Sequence, residues 1–370
     1  MKKINKKIVV AMSGGLDSSV AAALLKKGGF KVVGVFLKLA DLPTFKENER
    51  RAKRIAKILK IPFLVLDLRK EFKKRIVDYF LKENKRGLTP NPCVVCNKEI
   101  KFGLLLEKTL KLNADFMATG HYARTNFFKN FTIPSNSEGG RRKLAFFALV
   151  KNLQKIKLMK GRDKNKDQSY FLWMLNQKQL KRVLFPIGDY TRKEVEGLAK
   201  KFKLSFLTKV PKSQEICFIE ITIEDFLKRY LKTKPGHIVD ANGKILEKHE
   251  GLYFYTIGQR KGIGLSGGPY YVLNKDLKRN LLIVTKNEND LYKKELSVKK
   301  VNWISGKEPK LPLKVKAKIR YRHKASPATA YKILNTKYKI LLSSPQRAIT
   351  PGQSIVFYRG QELLGGGIIC

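Results

Sequence analysis

The run Ser13-Gly14-Gly15-Leu16-Asp17-Ser18-Ser19 stands between a β-branched apolar stretch, Lys7–Met12, and a stretch of helical composition, Ser18–Lys27. Its two glycines let the backbone turn tightly and approach a ligand closely. The helix that follows would present unpaired N–H groups and the positive end of its dipole, which favour a phosphate. The hydroxyls of Ser13, Ser18 and Ser19 are candidate extra donors. This is not a Walker loop, because no Gly-Lys-Ser/Thr follows. Asp17 repels phosphate directly, so a bridging Mg²⁺ is its sensible partner. A bare Ser-Gly-Gly would more often be a turn with Asp as its N-cap; the full string at a strand-to-helix junction is far more specific.

Thiols are the second chemical resource. The chain has four cysteines, Cys93, Cys96, Cys217 and Cys370. Cys93 and Cys96 belong to GLTPNPCVVCNKEIKF, residues 87–102. Prolines on both sides of Asn91 impose an extended or turn conformation just before Cys93. Cys96 falls near the start of a predicted helix, where the dipole lowers a thiol pKa. A structural zinc site would need two further ligands, and no second Cys-x-x-Cys supplies them. Cys217 lies in Ser213-Gln214-Glu215-Ile216-Cys217-Phe218; in isolation it reads as a buried core cysteine. Cys370 reads as incidental. So few cysteines cannot staple a chain of 370 residues, which points to a reducing, cytoplasmic setting.

SGGLDSS, TPNPCVVCN, ATGHYAR, KDQSYFL, SQEICF, TIGQRKGIG and TPGQSIVFY follow one another across nearly the whole chain. In these motifs and their order the sequence resembles the tRNA-specific 2-thiouridylase family of the ATP-pyrophosphatase (PP-loop) superfamily. The resemblance implies an α/β fold: an N-terminal parallel-sheet domain like the adenine-nucleotide α-hydrolases, a small central domain and a C-terminal β-barrel. The implied reaction is a tRNA-uridine 2-sulfurtransferase, making 2-thiouridine, AMP and pyrophosphate from a wobble uridine, with ATP and Mg²⁺ as cofactors. Ala11, Met12, Ser13, Gly14, Gly15, Leu16, Asp17 and Ser18 would then hold ATP, with Leu37 and Gly120 beside the adenosine. Cys96 would be the nucleophile, and Cys217 would carry the sulfur as a persulfide. Asn91, Pro92 and Cys93 would meet the target base. His121, Lys166, Asp167, Gln168, Arg320, Tyr321 and Gln353 would touch the tRNA. The implied partners are the anticodon loops of Lys, Glu and Gln tRNAs and a cysteine desulfurase or sulfur relay protein. Some members carry Asp where Cys93 stands, with a general-base role that a thiol does not reproduce. The segment Lys38–Glu47 is short against the family pattern, and the insertion at 126–160 is long.

The chemistry accounts for this set of groups. The C2 carbonyl of uracil is urea-like and its oxygen leaves poorly, so the oxygen must first be activated. Loop and Mg²⁺ would stabilise the departing pyrophosphate. A persulfide on Cys217 would deliver sulfur, and Cys96 would release it by forming a disulfide with Cys217 that an external reductant reopens. The two thiols must therefore meet in at least one conformation. The uridine must leave its stack, which favours an anticodon-loop base over a duplex base.

These groups need elements to position them. Strands at Lys31–Leu37, Phe63–Asp67 and Asp115–Gly120 alternate with helices at Glu47–Leu59 and Glu71–Lys82, which predicts a parallel sheet covered by helices. Residues 126–160 break the pattern and suggest a hairpin or flexible insertion with a basic tip. Helical composition returns from Asp167 to about Lys203, and a turn-rich region with short strands runs from Pro211 to about Asn274. Within it, residues 256–264 suit either an RNA-binding loop or a tight turn. Short strands beyond Leu281 predict a small all-β barrel. The expected domains are 1–207, 208–278 and 279–370. Lys and Arg number 78 against 30 Asp and Glu, a formal charge of +48 that draws polyanions. No apolar run reaches the ~18 residues of a membrane span, and the N-terminus reads as a strand, not a signal peptide. Three rival readings remain at this level: a PP-loop synthetase using ammonia, a thiolase with an iron–sulfur cluster on Cys93, Cys96 and Cys217, and a noncatalytic RNA-binding protein.

Overall fold

A computed structural model describes residues 6–127, 155–210, 216–334 and 337–370. Its first layer is a sheet of five parallel strands: β1 Lys7–Ala11, β2 Lys31–Lys38, β3 Phe63–Asp67, β4 Phe116–Ala118 and β7 Val183–Leu184. Between the last two lie β5 Ala123–Thr125 and β6 Leu158–Lys160, which belong to another sheet. The order β3-β2-β1-β4-β7 reverses direction between β1 and β4. Such a switch point opens a crevice beyond the carboxyl ends of the strands, the usual ligand position in this architecture.

β1 is the centre of the sheet, and Ile8, Val9 and Val10 are wholly buried. The helix that follows it, α1 Leu16–Lys27, carries Val20-Ala21-Ala22-Ala23-Leu24-Leu25, all buried. Alanines there let the helix lie close on the sheet. The next helix, α2 Pro43–Ile58, begins four residues before the predicted start because Pro43 suits its first turn. Pro92–Cys96 opens a helix that continues through Asn97–Leu105 and Leu106–Lys111.

Two predicted segments differ. The helical stretch expected over 167–203 is broken into a short turn at Ser169–Leu172, a turn of helix at Gln177–Leu180, the edge strand β7, and a helix only at Arg192–Lys201. Capping boxes at Asn176 and Thr191 start new helices and so divide the segment. The region expected to hold only turns and short strands also contains the helix Ile223–Tyr230, capped by Thr222 through the Asp225 N–H at 3.0 Å.

The second sheet has four strands in the order β10-β11-β8-β9, from β8 Gly236–Val239, β9 Ile245–His249, β10 Tyr271–Asp276 and β11 Leu281–Thr285. Its small core holds Ile238, Leu252, Val272, Leu282 and Val284.

The last unit is a closed barrel of β12 Tyr292–Trp303, β13 Leu313–Lys318, β14 Ser326–Leu334, β15 Lys337–Arg347, β16 Ser354–Arg359 and β17 Glu362–Ile369. The order β12-β15-β14-β13-β16-β17 closes through β12–β17 pairing. β6 adds to β17, and β5 pairs with β6, so the base of the 126–160 insertion is a strand pair grafted onto the barrel. The expected basic tip, over 128–154, lies outside the described residues. β16 is shared by two cores. Ile355 and Phe357 face the barrel interior, while Val356 and Tyr358 join the core of the first layer. Strand alternation of period two makes this possible, and it joins the barrel to the core of the first layer. Among the described residues, no helix is long and apolar enough to cross a membrane.

Candidate active site

Gly14 has φ +75°, and a Cβ there would stand 2.3 Å from the Asn48 carbonyl oxygen. Only glycine fits. Gly15, at the N-cap of α1, is extended and supplies no side-chain cap, so the N–H groups opening α1 have no acceptor from a cap. The serines behave differently from the sequence expectation. Ser18 and Ser19 are buried, and both hydroxyls donate to Gly15 O, at 3.2 and 2.7 Å. Ser18 Oγ also lies 3.1 Å from Ser13 Oγ. These hydroxyls brace the loop.

Asp17 is engaged on Oδ1 by two donors, Tyr122 Oη at 2.9 Å and Arg192 Nη1 at 3.0 Å. Burial raises its carboxyl above the ordinary value, against the opposing pull of Arg192 and the Tyr122 hydrogen bond. Gln168 fixes Tyr122 at both backbone atoms: Tyr122 N donates to Gln168 Oε1 at 3.0 Å, and Gln168 N donates to Tyr122 O at 2.9 Å. Gly120 closes the other wall. A Cβ on it would meet Ser18 N at 2.5 Å, so β4 runs against the backbone that starts α1. Ala11 and Leu37 line the same strand ends half-buried, and Met12 is buried with its N–H donating to Val35 O.

The TPNP loop is held from both downstream units. Thr89 N donates to Pro351 O at 3.0 Å, Gln353 Nε2 donates to Thr89 O at 2.9 Å, and a Cβ on Gly352 would press on Thr89 N. From β10, Lys275 Nζ donates to Gly87 O at 3.0 Å. Burial pulls that ammonium down to about 8. Asn91 caps the helix Pro92–Cys96 by accepting from Val94 N, and it also bonds the buried Tyr170, whose hydroxyl donates to Ser354 O at 2.7 Å. Tyr170 and Trp173 are wholly buried and form core.

The same helix carries two thiols to a third. Cys96 sits in an apolar cluster with Leu68, Phe72, Phe80 and Phe218. Phe218 packs edge-on against Phe72 at 5.6 Å and Phe80 at 5.7 Å, and so plugs the Cys217 segment beside Cys96. None of the four cysteines is in a disulfide. Burial pushes the Cys96 thiol up to about 11. This corrects the expectation of a thiol lowered by the helix start: desolvation outweighs the dipole. Cys217 is open to solvent on one side, yet desolvation and the neighbouring Cys96 and Cys93 push it up to about 12. Lys101, one turn beyond Cys96, is the cation whose field favours both thiolates. It also acts on His121, so the thiols and the crevice share one electrostatic neighbourhood.

The remaining predicted contacts are mostly internal braces. His121 is buried between Phe102 and Phe185, its Nδ1 is 2.8 Å from Thr119 Oγ1, and burial holds it neutral. Asp167 Oδ1 accepts from Gly161 N and Ser169 N, both at 3.0 Å. Arg320 donates to Ile257 O, Ala348 O and Thr350 Oγ1, tying the 256–264 loop to the barrel. Lys166 and Tyr321 are half-open to solvent. Sequence reasoning passed over Tyr122, Arg192, Lys101 and Lys275. Tyr122 stood inside ATGHYAR and Lys101 inside GLTPNPCVVCNKEIKF, so both were findable; Arg192 and Lys275 carry no local signal.

The loop fits a nucleotide's phosphates: uncapped amides, a glycine turn, and a second glycine pressed on the helix start. Among the described residues, no three His, Cys, Asp or Glu side chains converge as metal ligands. Mg²⁺ would have Asp17 as its single protein carboxylate, with phosphate oxygens and water completing its shell.

Residues 6–221 match the family described as the tRNA methyl transferase HUP domain, residues 224–286 its PRC-barrel domain, and residues 293–369 the aminomethyltransferase β-barrel domain. The chain is 42% identical to the tRNA-specific 2-thiouridylase MnmA of Carboxydothermus hydrogenoformans, covering 98% of this chain and 97% of that protein. It is likewise 42% identical to the protein of that name from Syntrophomonas wolfei, over 98% and 99% of the two chains. The Clostridioides difficile protein, also so named, is 42% identical over 99% and 98%.

Proposed function

The chain belongs to the tRNA-specific 2-thiouridylase family, and from that premise we propose that it replaces the C2 oxygen of a tRNA wobble uridine with sulfur. The observation that carries this reading is the placement of the Cys217 segment, whose Phe218 packs into the apolar cluster around Cys96 so that the two thiols lie within each other's field. The matched domains are described by methyl transfer, but the relatives that cover nearly the whole chain are named for 2-thiolation. The same thiols argue against an ammonia-dependent synthetase.

ATP supplies the activation, because its AMP moiety on O2 turns a poor leaving group into a good one. The backbone amides of residues 14–16 would hold its phosphates, and Asp17, kept in place by Tyr122 and Arg192, would hold Mg²⁺, which would stabilise charge on the departing pyrophosphate. Ala11, Met12, Leu37 and Gly120 border the adenosine. Asn91, Pro92 and Cys93 face the flipped base. Cys217, exposed, accepts sulfur from a cysteine desulfurase or relay protein and presents it to C2. Cys96 then attacks Cys217 Sγ; the bond to the transferred sulfur breaks, that sulfur stays on C2, and a Cys96–Cys217 disulfide forms. A cellular dithiol reopens it. Burial keeps Cys96 protonated at rest, so it gives up its proton only as the adduct forms, assisted by the field of Lys101.

In this reading, residues 1–207 activate the uridine, while 208–278 and 279–370 hold tRNA and lock the TPNP loop. His121, Asp167, Gln168 and Gln353 act through the groups they brace; Lys166, Arg320 and Tyr321 border the RNA. Lys, Glu and Gln tRNAs are the expected substrates, in the cytoplasm.

The test is thiolation of unmodified tRNA-Lys transcript with ATP, Mg²⁺, a cysteine desulfurase with L-cysteine as the persulfide source and a dithiol reductant, read by sulfur-sensitive gel mobility. Wild type should give a shift that depends on the wobble base, and Cys217→Ser and Asp17→Ala should abolish it. Absence of both the shift and tRNA-dependent AMP in the wild type would overturn the assignment.

A further inference from the structure

β13 and β6 carry three lysines onto one face where the barrel meets the first layer. Lys160 Nζ lies 4.3 Å from the centre of the Tyr358 ring. Lys316 stands directly across from Tyr358 in the β13–β16 register. Lys318 Nζ is 5.4 Å from the centre of the Tyr321 ring. Lys316 is exposed, and Lys160 and Lys318 are half-buried.

None of the three makes an ion pair among the described residues. The carboxylate on the neighbouring strand, Glu362, is already paired with Lys157 at 2.9 Å. Asp167 acts on Lys160 and Lys318 through its field, but its oxygens accept from Gly161 N, Ser169 N and Ser169 Oγ. One carboxylate against three ammoniums leaves about two positive charges without a counter-charge. Desolvation and mutual repulsion lower both Lys160 and Lys318 below the ordinary lysine value. Half-buried cations that repel one another are costly to hold empty; aromatic faces soften the cost but do not cancel the charge. An anion is the group that completes such a site.

The site lies next to the target-base loop. Tyr321 packs on Phe171 at 4.5 Å and on Tyr170 at 6.0 Å, and Tyr170 bonds Asn91. We propose that Lys160, Lys316 and Lys318 form a seat for backbone phosphates of the tRNA strand beside the flipped base. This rests on the tRNA reading above. A seat there would fix the strand from which the base swings out, so its lysines are binding and positioning residues.

The experiment measures tRNA-Lys affinity of the full-length protein from low to moderate salt. It compares wild type, Lys160→Met/Lys318→Met, and Lys160→Arg/Lys318→Arg. Removing one phosphate-binding cation lowers the slope of log K against log salt by about one. The Met pair should lose about two from the slope while keeping the wild-type KM for ATP, and the Arg pair should restore the slope. An unchanged slope in the Met pair, with wild type binding steeply, overturns the seat and leaves the function standing. A raised KM for ATP reassigns the lysines to the nucleotide and also overturns it. An Arg pair that melts early and fails to restore binding marks a packing role and overturns it too. Absence of tRNA binding in the wild type sinks the seat together with the proposed function.

Discussion

Replacing Gly120 with alanine puts one methyl group into the seam between β4 and the start of α1. That Cβ would stand 2.5 Å from Ser18 N, 2.7 Å from the Asp17 carbonyl carbon and 2.8 Å from Ser18 Cα. Nine in ten real contacts are no tighter than 3.4 Å, so the seam must open by about 0.9 Å, and every opposing atom is backbone. No rotamer can absorb the strain. Overpacking of this kind costs about 1–3 kcal/mol of stability. The larger effect falls on the phosphate loop, because a displacement of about 1 Å in a reacting site costs about a hundredfold in rate. We therefore expect kcat/KM for tRNA-dependent AMP formation to fall by about 10². Gly197→Ala is the control. It lies inside the helix Arg192–Lys201, and a Cβ there meets nothing within 4 Å. It should gain about 0.5–1 kcal/mol from helix propensity and leave activity unchanged. If Gly120→Ala melts with the wild type and keeps its kcat/KM, the close approach of β4 to α1 does not position the loop.

Tyr122→Phe removes one of the two donors to Asp17 but keeps the buried ring. With less to oppose desolvation, the Asp17 carboxyl rises further, so the acid limb of the activity profile should move to higher pH; superimposable profiles would argue against the Tyr122 contact. For sulfur release, the thiolate is the nucleophile and Cys96 stands at about 11. Single-turnover release should therefore climb about tenfold per pH unit from about pH 7 to 9, and a plateau in that range would contradict the burial argument. The same shift has a stability consequence of defined sign. Folding raises the thiol above its ordinary value of about 8.5, so its contribution is intact below that pH and is lost as pH rises toward the folded value; melting temperature should fall on that side. Gln353→Ala removes the barrel's bond to Thr89 O, worth about 1 kcal/mol. Thiolation should slow while the KM for ATP holds, and equal loss of both would place Gln353 elsewhere in the mechanism.

Several parts of this protein were readable along the chain because their causes are local. A glycine loop between an apolar run and an alanine-rich run can only be a turn into a helix. Period-two alternation announces the barrel strands, and paired prolines announce the TPNP turn. Motif order carried the family, and with it the identities of the residues proposed to act. Local signals failed where a segment's fate depends on its neighbours. The stretch 167–203 has helical composition, yet its middle is drawn out as an edge strand of the parallel sheet.

Protonation states were beyond the sequence as well. Position near a helix start predicted a lowered Cys96 thiol, but the apolar cluster around Phe218, assembled from segments over a hundred residues apart, raises it. Ser18 and Ser19 looked like ligand donors until the fold turned them inward to Gly15 O, while Ser13 stays exposed. The sequence by itself determined which groups are present and in what order, because composition and spacing are properties of the chain. Tertiary structure alone decided which thiol is buried, which carboxylate is paired and which lysines are left without a counter-charge, because desolvation and Coulomb interaction depend on distance in space.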